Sequence, residues 1–336
     1  MLKFDKEVFL KDGKKTYGTR EIIESEVLKI VEEGIDNIVL MGVGGTIFEV
    51  ASVKSIIEHY SNLDVEIINA ADGLLQNPDN INENTLVVTG SKSGDTTETV
   101  DFARWCKNKG AKVLSFVGSK DVPLAEASTN LVVCDAPGME NTYLKYYLFA
   151  TYLMKCKGYF EDYEQFADQM ANLHDNLVMW KEQYEETAKD VAAKYSQAPY
   201  QMWIGSGTLW GEVQLFAMCI LEEMQWMRTR PVNSNDFFHG ALELVDDSFP
   251  IYLVKGEDEL RPLDERVENF LNKIDMKKVV IIDTKDFKLT NIDDKYRMIL
   301  STIILNTITR GRLAYHFEAE TGHDLETRRY YRQIEY

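Results

Sequence analysis

The stretch Val87-Val88-Thr89-Gly90-Ser91-Lys92-Ser93-Gly94-Asp95-Thr96-Thr97-Glu98-Thr99 joins the end of a strand, a glycine-bounded loop and the start of a helix. The strand is predicted over 85–89, which is rich in apolar and β-branched residues, and the helix from about Thr96. A helix start exposes backbone N–H groups that have no intrahelical partner, and the positive end of its dipole attracts an anion. This stretch therefore predicts an anion site between a strand and a helix.

Hydroxyl groups make a phosphate monoester the favoured ligand of this loop. Five of them surround the predicted helix start: Ser91, Ser93, Thr96, Thr97 and Thr99. The plainer interpretation is a Ser/Thr N-cap and turn, which any helix can use, and Ser93 or Asp95 alone would fit it. Five hydroxyls around two glycines favour phosphate binding over a simple cap.

The composition is that of a globular protein with a strong negative charge. The chain has 336 residues, enough for two domains, and 45% of them are hydrophobic. Its formal net charge of −18 argues against nucleic acid or an anionic membrane as a partner. A phosphate site must therefore be built from backbone dipoles and local donors, against an unfavourable overall field.

The cysteines and the N-terminal residues indicate a soluble, cytoplasmic protein. Cys106, Cys134, Cys156 and Cys219 are far apart and form no CxxC pair, so we expect reduced thiols. The first fifteen residues carry charges throughout, which predicts no signal peptide, and no apolar run is long enough to span a bilayer. We expect no association with a membrane.

Strands and helices alternate along the chain in the pattern of a parallel sheet that is covered on both faces. In the first half, strands are predicted at 38–41, 65–68, 85–89, 113–117 and 130–134, and helices at 19–33, 46–60, 97–109 and 140–157. A charged helical segment at 163–194 then leads into a second series. Its predicted strands are 200–204, 250–254 and 279–282, and its predicted helices are 209–227, 260–273 and 294–314.

The two halves open on the same strand, glycine turn and helix, Met41–Thr46 in the first and Ile204–Thr208 in the second. This repeat indicates an internal duplication. We therefore predict an α/β fold with two doubly wound, three-layer α/β/α domains built on parallel sheets, at residues 16–160 and 161–336. Ligands of such sheets bind beyond the carboxyl ends of the strands, where the first turn and the loop at 90–96 both fall.

The second half differs from the first at the loop where a phosphate would bind. Its corresponding loop is Lys255-Gly256-Glu257-Asp258-Glu259, whose carboxylates would repel a phosphate. Only the first copy is therefore expected to bind one. The acidic loop could attract a cationic amine such as lysine, although a solvated surface loop is the plainer interpretation.

The glycine turns GVGGT and GSGT do not predict a nucleotide site. Gly42-Val43-Gly44 lacks the third glycine of the dinucleotide motif, and neither turn carries the lysine of a P-loop. These absences argue against a nicotinamide enzyme and an ATPase. His316 and His323 are too far apart for a helical pair of metal ligands, and no other residues have metal-binding spacing. We expect neither a cofactor nor a metal.

A second informative stretch, residues 221–245, places ionisable side chains among apolar ones. Glu222 and Glu223 lie on an otherwise apolar predicted helix, so at least one of them must point toward a crowded face. Such a carboxylate either pairs with a cation or has its pKa raised toward neutrality, as a proton-abstracting base requires. His239 follows two phenylalanines and, taken alone, is more typical of a structural histidine.

Taken together, these motifs resemble the double sugar isomerase (SIS) domain family. The matching features are S-x-S-G-x-T at residues 91–96, after a strand, and a helix-borne glutamate sixteen residues before the histidine of F-x-H-G-x-L-E at 237–243. The resemblance covers essentially the whole chain. Its last residues, 326–336, contain Arg-Arg-Tyr-Tyr and a terminal Glu-Tyr, and look like the fructosamine 6-phosphate deglycase branch of the family.

The resemblance implies catalytic roles for two residues. Glu223 would be the proton-shuttling base, because it has the sixteen-residue spacing to His239. Glu222 misses that spacing by one and is expected to face elsewhere on the helix. His239 would assist ring opening or act as an acid, often across a dimer interface.

The resemblance also implies the residues that bind the substrate. The phosphate would be held by the loop, with Ser91, Ser93 and Thr96 as hydroxyl donors and with Lys92 and Gly94 beside them. The sugar would be lined by the first glycine turn, through Gly44, Gly45 and Thr46. Tail residues would close over the site: His323, Arg328, Arg329 and Tyr336. For the two arginines, a solvated charged tail is an equally good interpretation.

The function that this resemblance implies is that of a deglycase without metal or cofactor. It would cleave a fructosamine 6-phosphate, such as fructoselysine 6-phosphate, to glucose 6-phosphate and an amine, as a homodimer or higher homo-oligomer with shared active sites. One alternative is another phosphosugar enzyme on the same scaffold, an aldose–ketose isomerase or a glucosamine 6-phosphate deaminase. The least favoured alternative is a non-catalytic phosphosugar sensor, which would not need Glu223 and His239 together.

Overall fold

The computed structural model describes residues Met1–Glu335, and these form two compact units. The N-terminal unit comprises Lys6–His174 with Asn291–Asp293. The C-terminal unit comprises Met1–Asp5, Asp175–Thr290 and the described residues from Asp294 onward. The domain boundary expected between residues 160 and 161 stays a prediction.

The N-terminal unit is built on a parallel sheet with the strand order β2-β1-β3-β4-β5. Its strands are β1 (Asn37–Gly42), β2 (Asp64–Asn69), β3 (Thr85–Ser91), β4 (Lys112–Val117) and β5 (Asn130–Val133). Its helices are α1 (Lys6–Tyr17), α2 (Arg20–Glu32), α3 (Gly45–Tyr60), α4 (Ala70–Gln76), α5 (Thr97–Asn108), α6 (Pro123–Glu126), α7 (Met139–Cys156) and α8 (Tyr163–Gln169).

Burial on both faces explains why the strands of this sheet are continuously apolar. Along each strand every second side chain points to the same face of the sheet. On one face, Val39 of β1, Val87 of β3 and Val113 of β4 form a core cluster with Phe102 of α5. The strand residues between them are also buried, and α2, α3 and α7 pack against one another on the other face. Since both faces are covered by helices, a polar residue on either face of the central strands would lie in the core.

The C-terminal unit repeats this plan with the strand order β7-β6-β8-β9, again parallel. Its strands are β6 (Gln201–Gly205), β7 (Thr229–Asn233), β8 (Ile251–Lys255) and β9 (Val279–Asp283). Its helices are α9 (Leu173–Tyr195), which begins in the N-terminal unit, α10 (Trp210–Leu215), α11 (Ser234–Phe237), α12 (Arg261–Lys273), α13 (Arg297–Ile308) and α14 (Ala314–Thr321). Within residues 1–335, no helix has the length and apolar character needed to cross a membrane.

The predicted fold class, two α/β units with parallel sheets and flanking helices, is confirmed. Counted from its own first strand, each sheet runs in the order 2-1-3-4, with β5 added to the first. This is a doubly wound order: the second strand is added on one side of the first, and the third and fourth strands are added on the other side. We call the position between the first and third strands, where the strand order reverses, the reversal point. The shared order agrees with the duplication expected from the glycine turns.

Several elements differ from the sequence-based expectation, each for a local reason. Strand β7 is absent from the predicted strands; it contains Pro231, which is tolerated here because β7 lies at the edge of its sheet. The single helix expected over 209–227 is wrong, because α10 gives way to a π-helix at Phe216–Glu222 and then to a turn. Helix α1 lies in the polar N-terminal segment, for which no helix is predicted from the sequence.

The reversal point of the C-terminal sheet is closed by the protein's own carboxylates. Asp258, in the loop after β8, accepts hydrogen bonds of 2.6 Å from both the backbone amide and the hydroxyl of Thr208, which follows β6. Asp258 is buried. Its neighbour Glu257 accepts a hydrogen bond of 2.7 Å from Nε of Arg297. The interpretation of this loop as a solvated surface is therefore wrong, and an anionic ligand would have to displace Asp258.

A second carboxylate, Asp264 of α12, lies below the same loop and is 1% exposed. Its Oδ1 accepts hydrogen bonds from the hydroxyls of Ser206 (2.7 Å) and Ser234 (2.5 Å), and its Oδ2 accepts one from the Gly256 amide. Burial raises the pKa of Asp264 to about 6, and the nearby charge of Asp258 acts in the same direction. The hydrogen bonds lower the pKa but do not cancel the effect of burial.

This raised pKa makes the stability of the C-terminal unit depend on pH. The protonated carboxyl favours the folded state, so its contribution is complete below pH 3.8, the ordinary pKa, and is lost as the pH rises through about 6. Asp264→Asn keeps an oxygen acceptor for both serines and does not titrate. From about pH 5 to pH 7.5 we expect the unfolding free energy of the parent to fall by about 1–2 kcal/mol relative to this variant.

Urea unfolding of both proteins at the two pH values measures this difference. Asp275→Asn is the matched control, because the side chain of Asp275 is 81% exposed. A constant difference between the parent and Asp264→Asn across the pH range would contradict the assignment of a raised pKa.

Candidate functional site

The predicted phosphate loop lies at the reversal point of the N-terminal sheet. Strands β1 and β3 are neighbours in this sheet, so the turn after β1 and the loop after β3 leave the same edge. The hydroxyl of Thr46 donates a hydrogen bond of 3.3 Å to the carbonyl of Gly90 and ties the two segments together. The structure thus brings Gly44, Gly45 and Thr46 next to the segment that contains Ser91–Thr96.

The path of the loop depends on Gly94. Its φ of +65° lies in the left-handed region, and a Cβ at this position would approach Val122 Cγ2 to 2.4 Å. Its amide donates to the Ser91 hydroxyl (2.9 Å), and its carbonyl accepts from the Leu124 amide (2.9 Å). A residue with a side chain would disturb this turn, which explains the glycine in the motif.

The helix starts that meet at this edge are not capped by their own side chains within the described chain. The N-cap of α5 is Thr96, whose hydroxyl makes no capping bond, and the N-cap of α3 is Gly44. First-turn amides of both helices are therefore available to a ligand. Ser93 and Lys92 are exposed, and the Ser93 hydroxyl donates to Asp95, a bond that a phosphate would have to replace.

The predicted base lies in the C-terminal unit, on the wall of an open cavity of about 570 Å³. The residues that line the cavity are Glu222, Glu223, Trp226, Met227, Arg228, Thr229, Arg328, Arg329, Tyr330 and Tyr331. The structure thus brings the predicted residues Glu223 and Arg329 together although they are more than a hundred positions apart. They meet because the last described residues of the chain pack against the segment that follows the π-helix.

Glu223 is held by an ion pair and not by an apolar environment. Its Oε1 accepts a hydrogen bond of 2.9 Å from Nε of Arg328, and its side chain is 36% exposed. This agrees with the first of the two possibilities that the sequence left open, a carboxylate paired with a cation. Glu222 also lines the cavity, where it accepts a hydrogen bond from Thr229, so the expectation that it faces elsewhere is wrong.

Arg328 belongs to the site and not to a solvated tail. Its side chain is 16% exposed, and its Nη1 donates to the backbone carbonyls of Leu325 (2.6 Å) and Thr327 (3.2 Å). These bonds fix the guanidinium while its Nε holds Glu223. The interpretation of Arg328 as part of a solvated charged tail is therefore wrong, and its closing over a substrate stays a prediction.

The backbone beside Glu223 is unusual in two ways. The π-helix at Phe216–Glu222 ends directly before Glu223, and such helices occur often at functional sites. Trp226 has a φ of +57°, which is rare for a bulky residue and costs about 1–3 kcal/mol. Its ring lies 4.3 Å from that of His323 and 4.2 Å below the guanidinium of Arg329. These contacts hold Trp226 in its strained conformation.

The predicted acid His239 is not found at this cavity in the described chain. His239 follows α11 and is exposed, with its amide bonded to the Asp236 carbonyl, and it does not appear among the described residues that line the cavity. Tyr336 lies outside the described residues. A search of the described chain finds no group of three or more His, Cys, Asp or Glu side chains arranged to hold a metal ion.

Comparison with known proteins finds a family model and several relatives that this chain resembles. Residues 33–155 match the family model for the SIS domain. Fructosamine deglycase FrlB of Bacillus subtilis is 28% identical over 310 residues, which cover 90% of this chain and 93% of that protein. Fructoselysine 6-phosphate deglycase of Escherichia coli is 22% identical over 311 residues, which cover 92% of this chain and 89% of that protein.

A solved structure shows the same fold. It is that of a Bacillus subtilis protein provisionally assigned as a phosphosugar isomerase, with a TM-score of 0.86 and 25% identity, covering 95% of this chain and 99% of that one. The protein thus contains an SIS domain, and the family resemblance predicted from the sequence is confirmed.

The sequence did not indicate the residues that surround Glu223. Trp226, Arg228, Tyr330 and Tyr331 line the cavity, but no motif or spacing connects the segment 226–229 with the segment 328–331. The one available signal was a helix pattern that ends at a tryptophan between two charged stretches. The packing of these two segments becomes visible only in three dimensions.

The loop geometry predicts that individual hydroxyls carry phosphate affinity. Ser93→Ala and Thr96→Val each remove one donor, and neither residue supports the fold through a capping bond in the described chain. A hydrogen bond to a charged group contributes about 1.5–3 kcal/mol, so each variant should bind glucose 6-phosphate about 10–100-fold more weakly in calorimetric titration.

The control for these variants is Ser55→Ala. Ser55 lies in the middle of α3, where its hydroxyl donates to the Ala51 carbonyl of the same helix, so its removal should leave the dissociation constant unchanged. Equal affinities of the parent and both loop variants would contradict the placement of the phosphate.

Proposed function

We propose that the protein is a deglycase that cleaves a fructosamine 6-phosphate to glucose 6-phosphate and a free amine. The substrate is an Amadori compound, a 1-amino-1-deoxyfructose 6-phosphate joined through nitrogen to an amino acid. The observation that carries the proposal is the start of α5, which has no side-chain cap in the described chain and is surrounded by the hydroxyls of Ser91, Ser93 and Thr96. Two relatives that match nine-tenths of the chain are named as deglycases of this type.

A phosphate dianion suits this loop for a clear physical reason. The helix dipole and the free amides of the first turn favour negative charge, and the hydroxyls can donate to several phosphate oxygens at once. These donors act in contact with the phosphate. The negative charges of the protein that lie farther away than a Debye length are largely screened by salt. The phosphate would anchor the sugar and leave its C1 and C2 for chemistry.

Glu223 would carry out the proton transfers. With the sugar ring open, the carboxylate removes a proton from C1 to give an enaminol and helps return a proton to C2. The nitrogen is then part of an imine at C1, which water hydrolyses to the aldehyde of glucose 6-phosphate and the amine. Proton transfer by a positioned base contributes about 10²–10⁴-fold to the rate.

Arg328 would be a positioning residue for this base. It donates one hydrogen bond to Oε1 of Glu223 and is itself fixed by two backbone carbonyls. Such support keeps the carboxylate in one orientation, which proton abstraction at a defined carbon requires.

His239 would assist ring opening or act as an acid. Because it is exposed and does not line the cavity of its own chain, we propose that it serves the site of another subunit in a homodimer or larger homo-oligomer. We propose that the protein binds a small sugar phosphate and further copies of its own chain, and that it binds neither nucleic acid nor a membrane.

A second candidate function is aldose–ketose isomerisation of a sugar phosphate. It is favoured by the provisional assignment of the solved structure with a TM-score of 0.86. The chemistry is closely related, since one base moves a proton between C1 and C2 in both reactions. A panel of fructosamine phosphates, glucosamine 6-phosphate and plain sugar phosphates would separate the two functions by the product released.

The proposal predicts that Glu223→Gln loses turnover and keeps binding. The amide can still accept the hydrogen bond from Arg328 but cannot take a proton from C1. We expect the rate of glucose 6-phosphate release to fall by about 10²–10⁴-fold, with the dissociation constant for glucose 6-phosphate unchanged within about threefold.

Glu222→Gln is the matched comparison, because Glu222 is the adjacent carboxylate on the same cavity wall. It should keep turnover within about tenfold of the parent. A Glu223→Gln variant with normal turnover would disprove the role of Glu223, and a loss confined to Glu222→Gln would assign the base to Glu222.

A further inference from the structure

Among the described residues that line the cavity beside Glu223, arginines outnumber carboxylates. The arginines are Arg228, Arg328 and Arg329, and the carboxylates are Glu222 and Glu223. Of the arginines, Arg328 is engaged by Glu223 and by two backbone carbonyls. The remaining charge favours a ligand with a negative group of its own.

Arg329 is the arginine whose contacts best suit it to bind a negative group of the ligand. Its guanidinium lies over the ring of Trp226, with 4.2 Å from Cζ to the ring centroid, and its Cζ lies 5.9 Å from the ring centroid of Tyr330. Within residues 1–335 it makes no ion pair with a carboxylate. Stacking uses the face of the guanidinium and leaves the N–H donors at its edge, which match the two oxygens of a carboxylate.

From these contacts we infer that the cavity binds the amino-acid part of the substrate, with Arg329 as the residue that recognises its carboxylate. This inference rests on the proposed deglycase function and assigns a specificity-determining role within it. Arg328 holds the base, and Arg329, the next residue in the chain, holds the substrate.

The connectivity of the substrate supports this arrangement. In an amino acid glycated at its α-nitrogen, the carboxyl carbon is three bonds from C1 of the sugar, a distance of about 4 Å. A base that reaches C1 must therefore have a carboxylate binder close by. Arg329 meets this condition, because it follows Arg328 directly and lines the same cavity as Glu223.

The rest of the cavity suits an amino-acid side chain. Its volume of about 570 Å³ is within the range of small-molecule sites. Trp226, Tyr330 and Tyr331 provide aromatic surface, and both tyrosines are exposed. An apolar or aromatic side chain would cover this surface while its carboxylate meets Arg329.

A pair of matched substrates tests this inference. One is the fructosamine 6-phosphate of phenylalanine, and the other is that of phenethylamine, which lacks only the carboxylate. For the parent enzyme we expect kcat/KM to be about 10–100-fold higher for the phenylalanine compound, as one charge-assisted hydrogen-bonded pair provides.

The variant Arg329→Gln should remove this preference. We expect KM for the phenylalanine compound to rise about 10–100-fold, with kcat and all constants for the phenethylamine compound within about threefold of the parent. Arg332→Gln is the control, since it removes the same charge from the same segment but from a residue outside the cavity lining, and it should keep the preference.

The possible failures are distinguishable. Equal turnover of both compounds by the parent overturns the role of Arg329 and leaves the deglycase function in place. A variant that is weakened equally toward both compounds overturns it as well, because Arg329 would then bind the phosphate or the sugar. Release of glucose 6-phosphate from neither compound by the parent overturns the proposed function and the inference that rests on it.

Discussion

The start of a helix at the edge of a parallel sheet needs something to accept hydrogen bonds from its first amides, and this requirement organises both halves of the protein. In both sheets the strand order reverses between the first and third strands. In both, a threonine lies where the helical segment after the first strand begins. In the C-terminal unit Thr208 meets the carboxylate of Asp258. In the N-terminal unit the hydroxyl of Thr46 donates to the carbonyl of Gly90. The C-terminal copy supplies its own anion, and we propose that the N-terminal copy receives one from a ligand.

The same contrast explains how an acidic protein can hold a phosphate. The formal net charge of −18 disfavours any anion at long range. The loop at residues 91–96 acts against this field with fixed dipoles and hydroxyls, which are effective only in contact. The arginines that line the cavity in the C-terminal unit are a second local exception, and they lie beside the carboxylate that we assign as the base. Positive groups thus lie where the ligand is expected, in a protein whose overall charge is negative.

The fold was largely predictable because its signals are local. Apolar runs separated by glycine turns gave the strands of the N-terminal unit to within about two residues. The predictions were wrong where packing or position in the sheet overrides local pattern. Strand β7, which the apolar pattern did not predict, contains Pro231, and its edge position in the sheet makes the proline acceptable. The π-helix before Glu223 and the left-handed Trp226 have no signature in the apolar periodicity.

The site was predictable in one unit and only partly in the other. The phosphate loop is contiguous in sequence, so its glycines and hydroxyls could be read together. The surroundings of Glu223 come from segments about a hundred residues apart, and the pairing of Glu223 with Arg328 follows only from the folded chain. The expectation for Glu222 failed for the same reason, since an ideal helix would turn it away and the actual backbone does not.

A crystal structure of the protein with a bound, unreactive sugar phosphate tests the central claim most directly. The account predicts phosphate density between the start of α5 and the turn at Gly44–Thr46, with the Ser93 hydroxyl turned from Asp95 to the ligand and with Asp258 still bonded to Thr208. Phosphate density beside Arg328 and Arg329, with the loop at 91–96 unchanged, would contradict it.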